Sequence, residues 1–175
     1  VHWRYYPEQG VETEAAINKT GGEGLFLECD VRRISDFEKV KDRLVKDWGG
    51  VDVVVNNAGV ASAGSIEDTT IADWEWILDI NVMGVVRGCK VFTPVLKEQG
   101  SGTIVNIASM AGLMLAPLMN SYNVSQGWRD RAVRDHEPRV HRHGRECLRG
   151  LPGLLPDQPH QLHALEHSWH PEERG

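Results

Sequence analysis

Two runs of apolar, largely β-branched residues dominate the pattern, Val51-Asp52-Val53-Val54-Val55 and Thr103-Ile104-Val105-Asn106-Ile107. Each follows a glycine turn and is short enough for a strand. The continuity of the first predicts burial on both faces, as in a parallel sheet. Gly24-Leu25-Phe26-Leu27-Glu28-Cys29 reads as a further strand, and Val1–Tyr6 as the stub of one.

Helical spacing fills the intervals. Pro7 suits a first helical position, and Gln9 to Lys19 carries Val11, Ala15, Ala16 and Ile17 before Gly21-Gly22. Ser35 with Glu38 forms a capping box ahead of Phe37, Val40, Leu44, Val45 and Trp48, which share one helix face. A long helix is predicted from about Ile71 to Lys97, and another opens at Ser121-Tyr122. Alternating strands and helices imply right-handed βαβ units and an α/β, doubly wound parallel sheet. No internal repeat is visible.

Composition narrows the functions. A chain of 175 residues suits one core. A net charge of −6 argues against nucleic acid as the main partner. Cys29, Cys89 and Cys147 lack metal or redox spacing, and no long apolar run suggests a membrane span, so a soluble cytoplasmic protein is expected. His141-x-His143 lacks a supporting carboxylate or Cys framework, so no metal is expected.

The text changes at Gln126. Beyond it there is no Lys, Ile, Phe, Tyr or Met, but there are eight Arg and seven of the eight His. The expected division is a partial domain over 1–126 and an atypical, disordered or non-native tail over 127–175. Arg-, Pro-, His- and Leu-rich text of this kind is what GC-rich coding DNA yields in a shifted frame.

Three motifs carry candidate chemistry. Asn56-Asn57-Ala58-Gly59 ends the strand-like run at Val55; Asn81-Val82-Met83-Gly84 lies inside the long helix; Ser109 ends the later strand, with Tyr122 thirteen positions on (122 − 109 = 13). Together they resemble the short-chain dehydrogenase/reductase family over roughly Pro7 to Ser125. Its pattern continues with a Lys four residues after the Tyr, and here that position is Gln126.

The resemblance implies an incomplete Rossmann-like domain that transfers hydride between NAD or NADP and a small-molecule alcohol or carbonyl. Ser109 would polarise the substrate oxygen, Tyr122 would pass the proton, and Asn81 would hold a relay water. Asn57, Ala58 and Gly59 would line the cofactor, and Asp30 and Val31 would meet its adenine. Arg4, in the best register, leans toward NADP. Each residue also has a plainer reading: Asp30 as a capping carboxylate, Asn81 as a satisfied core amide, Asn57–Gly59 as a strand-ending turn.

No Gly-rich turn for a pyrophosphate precedes Val11. The chain is therefore expected to be an internal piece of a longer protein, with its central strand absent. In the family the next elements are a strand and a Pro–Phe–Thr loop, and codons for Glu146 to Pro159, re-read one base later, can encode both. The competing function is a catalytically inactive fragment or binding module. Pairing of subunits through helix 71–97 is a third expectation.

Overall fold

The computed structural model describes residues 7–131. In chain order they form α1 (Pro7–Lys19), α2 (Ile34–Trp48), β1 (Val53–Asn56), α3 (Ile71–Leu78), a π turn (Asp79–Met83), α4 (Gly84–Gln99), β2 (Thr103–Asn106), a 3-10 turn (Met110–Gly112) and α5 (Asn120–Arg131). β1 and β2 pair in parallel, with Val53 opposite Thr103 and Asn56 opposite Asn106. The crossover between them is the helical rod 71–99, as parallel strands require.

The apolar stripe of α2 and the inner face of α4 meet over one side of this sheet. Phe37, Val91 and Phe92 form the buried cluster, with Cys29, Val31, Val40, Leu44, Val51 and Val54 packed around it. α4 crosses the end of β1 closely: a Cβ on Gly88 would lie 2.2 Å from Asn56 Oδ1. A larger side chain there would push helix and strand apart.

Four sequence expectations are corrected. Burial of the first run on both faces does not hold, because Val53 and Val55 are 57% and 54% exposed. Pleating sends them away from Val54 and the α2–α4 layer, and no described element lies over them. Residues 24–29 form no ladder. Side chains of α1 take up backbone donors there instead: Gly24 N donates to Asn18 Oδ1 and Phe26 N to a Glu14 carboxylate oxygen. The capping box is absent as well. α2 begins at Ile34 with Arg33 as an uncapped N-cap, so Ser35 already lies within the helix.

The rod from 71 to 99 is not one uninterrupted α-helix. It opens with a capping box between Thr70 and Asp73 and widens at 79–83, where Gly84 N reaches back five residues to Asp79 O. Arg87 secures the widened turn, donating to Asp79 O at 3.1 Å and to Asp79 Oδ1 at 2.6 Å. The expectations at Val1–Tyr6, Arg4, Cys147, His141, His143 and the tail from 132 lie outside the described residues.

Candidate active site

The carboxyl ends of β1 and β2, the π turn and the first turns of α5 converge on one place. Asn81 sits in the π turn, completely buried. Its Nδ2 donates to Val60 O and Ser125 Oγ, and its Oδ1 accepts from Val60 N. Both N–H groups are spent, so one Oδ1 lone pair is the side chain's remaining hydrogen-bonding capacity. Ser125 Oγ donates in turn to Tyr122 O at 2.8 Å. A bonded path thus joins the loop after Asn57-Ala58-Gly59, the π turn and the helix bearing Tyr122.

Ser109 caps the 3-10 turn, its Oγ accepting from Ala111 N at 3.2 Å. That contact uses one lone pair and leaves the hydroxyl hydrogen free to donate. The turn lies directly on α5, where a Cβ on Gly112 would fall 2.7 Å from the backbone of Gln126. Glycine is what lets the Ser109 segment reach the Tyr122 helix. At the far wall Ser62 Oγ meets Ser121 Oγ at 2.6 Å.

Asp30 and Val31 lie apart from this centre, on the loop entering α2. Asp30 accepts from Arg32 N, Nε and NH2, and the bonds from Arg32 hold its carboxyl below the usual range. Val31 packs against Gly84 of the rod, and its carbonyl accepts from Arg87.

Gln126, where a family member would carry Lys, is buried without bringing a charge. The cation nearby is Arg129, which sequence reasoning missed. It is only 5% exposed, its NH2 donates to Asn56 O at 2.8 Å, and its Nε has no hydrogen-bond partner. Burial pulls its pKa below the usual guanidinium value, and the Tyr122 phenol works in the opposite direction. Tyr122, Gln126 and Arg129 are spaced i, i+4, i+7 on one helix face, which is the signal that could have found it. Among the described residues no group of three or more His, Cys, Asp and Glu forms a candidate metal site. Burial raises the pKa of the Cys29 and Cys89 thiols, which disfavours thiolate chemistry.

The donors and turns present fit a dinucleotide in part. The Asn57–Gly59 turn follows the carboxyl end of β1, where a cofactor could lie, whereas both Asp30 carboxylate oxygens already accept from Arg32. The described residues include no Gly-rich turn of backbone amides for the pyrophosphate.

Comparison with known proteins supports the same architecture. Residues 2–133 match the family described as short chain dehydrogenase. An uncharacterized oxidoreductase of Thermotoga maritima is 38% identical over 119 residues, covering 68% of this chain and 47% of the relative. An NADP-dependent (R)-specific alcohol dehydrogenase of Lentilactobacillus kefiri is 34% identical, covering 65% and 46%. Among solved structures, an NAD+-bound xylitol dehydrogenase superposes with a TM-score of 0.67 at 32% identity, covering 70% and 47%. The chain spans about half the length of the curated relatives it matches. Strand-end motif, π-turn asparagine and Ser–Tyr spacing thus fall within a matched region of 132 residues (2 to 133), and the chain belongs to the short-chain dehydrogenase/reductase family.

Proposed function

We propose that these residues are the catalytic part of an NAD(P)-dependent oxidoreductase acting on a small alcohol or carbonyl compound, impaired in this chain. The observation that carries the reading is the bonded path from Asn81 through Ser125 to the Tyr122 backbone, with the turn that Ser109 caps packed on the same helix at Gly112. The nicotinamide, when bound, supplies or accepts the hydride. Ser109 Oγ–H would donate to the substrate oxygen and hold its carbon in place. Tyr122 would pass the proton to or from that oxygen. Asn81 fastens the loop after Gly59 to the Tyr helix, and its free lone pair can accept from a relay water.

The impairment is electrostatic. A phenol has an ordinary pKa near ~10, and as a base at neutral pH it needs positive charge nearby. Gln126 brings none, and Arg129 is already engaged with the Asn56 carbonyl. The choice between NAD and NADP rests on Arg4 and leans to NADP. Subunit pairing along 71–97 belongs to the same reading, as does an origin of the tail from Gly127 in a shifted frame.

Calorimetric titration of NADH and NADPH into the purified chain should show no sub-micromolar binding, because the pyrophosphate lacks its turn. A longer protein with that turn, Lys at 126 and the frame corrected after Ser125 should reduce a carbonyl with NAD(P)H. Tyr122→Phe should then abolish turnover. Full activity in the Phe variant would remove Tyr122 from the chemistry, and no turnover in the longer protein would leave the inactive binding module as the better reading.

A further inference from the structure

Arg129 is the one charged side chain that is buried among the described residues, and it is poorly supplied with acceptors. NH2 donates to Asn56 O, while Nε and NH1 donate to no described residue. Of the five N–H groups of a guanidinium, four thus lack an acceptor among the described residues. Neither the stretch 53–66 that it touches nor the stretch 101–128 that leads into it contains a charged side chain. The charge is therefore left without a counter-ion from either.

The turn beside it is short of partners too. A Cβ on Gly59 would lie 2.8 Å from Arg129 NH1 and 3.4 Å from Asn81 Oδ1, so only glycine lets the guanidinium come this close. Ala58 N and Gly59 N, unlike Asn57 N and Val60 N, donate to no described acceptor. Asn57, Ala58 and Gly59 are exposed, so the turn opens to solvent with a buried cation at its side.

A buried charge that meets only a neutral carbonyl is costly, and a group of opposite sign is what offsets it best. A phosphoryl group fits these donors. It carries full negative charge, takes paired N–H bonds from a guanidinium and accepts from successive backbone amides. Turning NH2 away from Asn56 O strands nothing, since that carbonyl also accepts from Ile107 N at 3.1 Å.

We propose that Arg129 and the amides of Ala58 and Gly59 form a binding site for a phosphoryl group, carried by a nucleotide or by free pyrophosphate. The site uses a side-chain cation where a Gly-rich turn would use backbone alone. It goes beyond the oxidoreductase reading, because nothing in it needs a hydride, Ser109 or Tyr122.

The test is calorimetric titration of the purified chain, without cofactor, with ADP, adenosine and inorganic pyrophosphate at constant ionic strength. ADP should bind about tenfold or more tightly than adenosine, though more weakly than micromolar. Arg129→Met should bring ADP down to the level of adenosine, and Arg129→Lys should keep part of the difference. Gly59→Ala, whose Cβ would push NH1 aside, should weaken ADP as well, with circular dichroism confirming an unchanged helix content. Equal binding of ADP and adenosine, or an ADP preference that survives Arg129→Met, overturns the proposal. Pyrophosphate binding as tightly as ADP identifies the free anion as the ligand, and tighter ADP identifies the nucleotide; in both cases loss in the Met variant supports the site. Failure here is distinct from failure of the enzyme reading, because the longer protein corrected after Ser125 re-encodes position 129. Turnover there with equal ADP and adenosine binding here keeps the enzyme and loses the site, whereas an Arg129-dependent ADP preference with no turnover there does the reverse.

Discussion

The two halves of the described chain are held in different ways. From β1 onward, strands pair with strands, the π turn is locked by Arg87, and most buried polar atoms find a partner, Asn123 Oδ1 and Arg129 Nε excepted. Ile77, Asn81, Ser121 and Ser125 are almost wholly enclosed. Before β1, α1 buries no residue at all and the strand-like segment 24–29 has no ladder. Its donors are met by Asn18 and Glu14, side chains that water can replace. An apolar run becomes a strand only when a neighbour presents donors and acceptors in register. The comparison predicts that local stability is concentrated around the site and fades toward the N-terminus.

The largest effect should come where the halves meet. Phe92→Ala opens the cluster joining α2, α4 and the 29–31 loop, and should cost about 3–5 kcal/mol, enough to remove any cooperative transition. Thermal denaturation followed by circular dichroism reads this directly. A shift no larger than that from Val11→Ala on α1, expected at about 0.5 kcal/mol, would erase the contrast between the halves.

Within the site half, Asn81→Ala should cost about 2–4 kcal/mol, since it strips partners from Val60 and Ser125 at once. Hydrogen exchange should show protection lost at Val60 and along α5 while α1 is unaffected. Uniform loss everywhere would mean that the polar path is not a local fastening.

Arg129 is the charged exception in that half, a buried guanidinium with a bare Nε and no carboxylate partner among the described residues. Arg129→Met should therefore stabilise the chain, by about 1–3 kcal/mol, because it removes a desolvated charge while the Asn56 carbonyl still accepts from Ile107 N. Urea titration checks the sign. A destabilised Met variant would show the guanidinium to be a structural asset.

The smallest effect concerns acid. The bonds from Arg32 lower the pKa of Asp30, and that from Lys39 lowers the pKa of Asp36. Carboxylates depressed in the folded state stabilise it above their unfolded values, near ~4, and that contribution is lost as pH falls through the folded values. The thermal midpoint should thus be level above about pH 5 and decline below about pH 4. Asp30→Asn should shallow the decline, and an unchanged slope would show that the Arg32 contacts do not matter to folding. Both aspartates lie before β1, so this test tunes the weaker half.

Much of the molecule was legible from residue order alone. Apolar runs at 51–55 and 103–107, glycines between them and helical spacing at 34–48 and 71–97 are local patterns, and local patterns bias local conformation. They led to a parallel pair with a helical crossover, and to Ser109 and Tyr122 at the ends of one loop. What they could not reveal depends on partners far away in sequence. Whether 24–29 becomes a strand turns on a neighbouring strand. Whether Val53 and Val55 are covered turns on what lies over that face. The widening of the rod at 79–83 accompanies bonds from Arg87, and the burial of Arg129 depends on the Asn56 carbonyl 73 residues away. Spacing along the chain biased most of the elements, and the resemblance of a few motifs to a family supplied the chemistry expected of them. Only tertiary structure decided which donors found acceptors, because a hydrogen bond or a packed face needs a second surface that the local sequence does not contain.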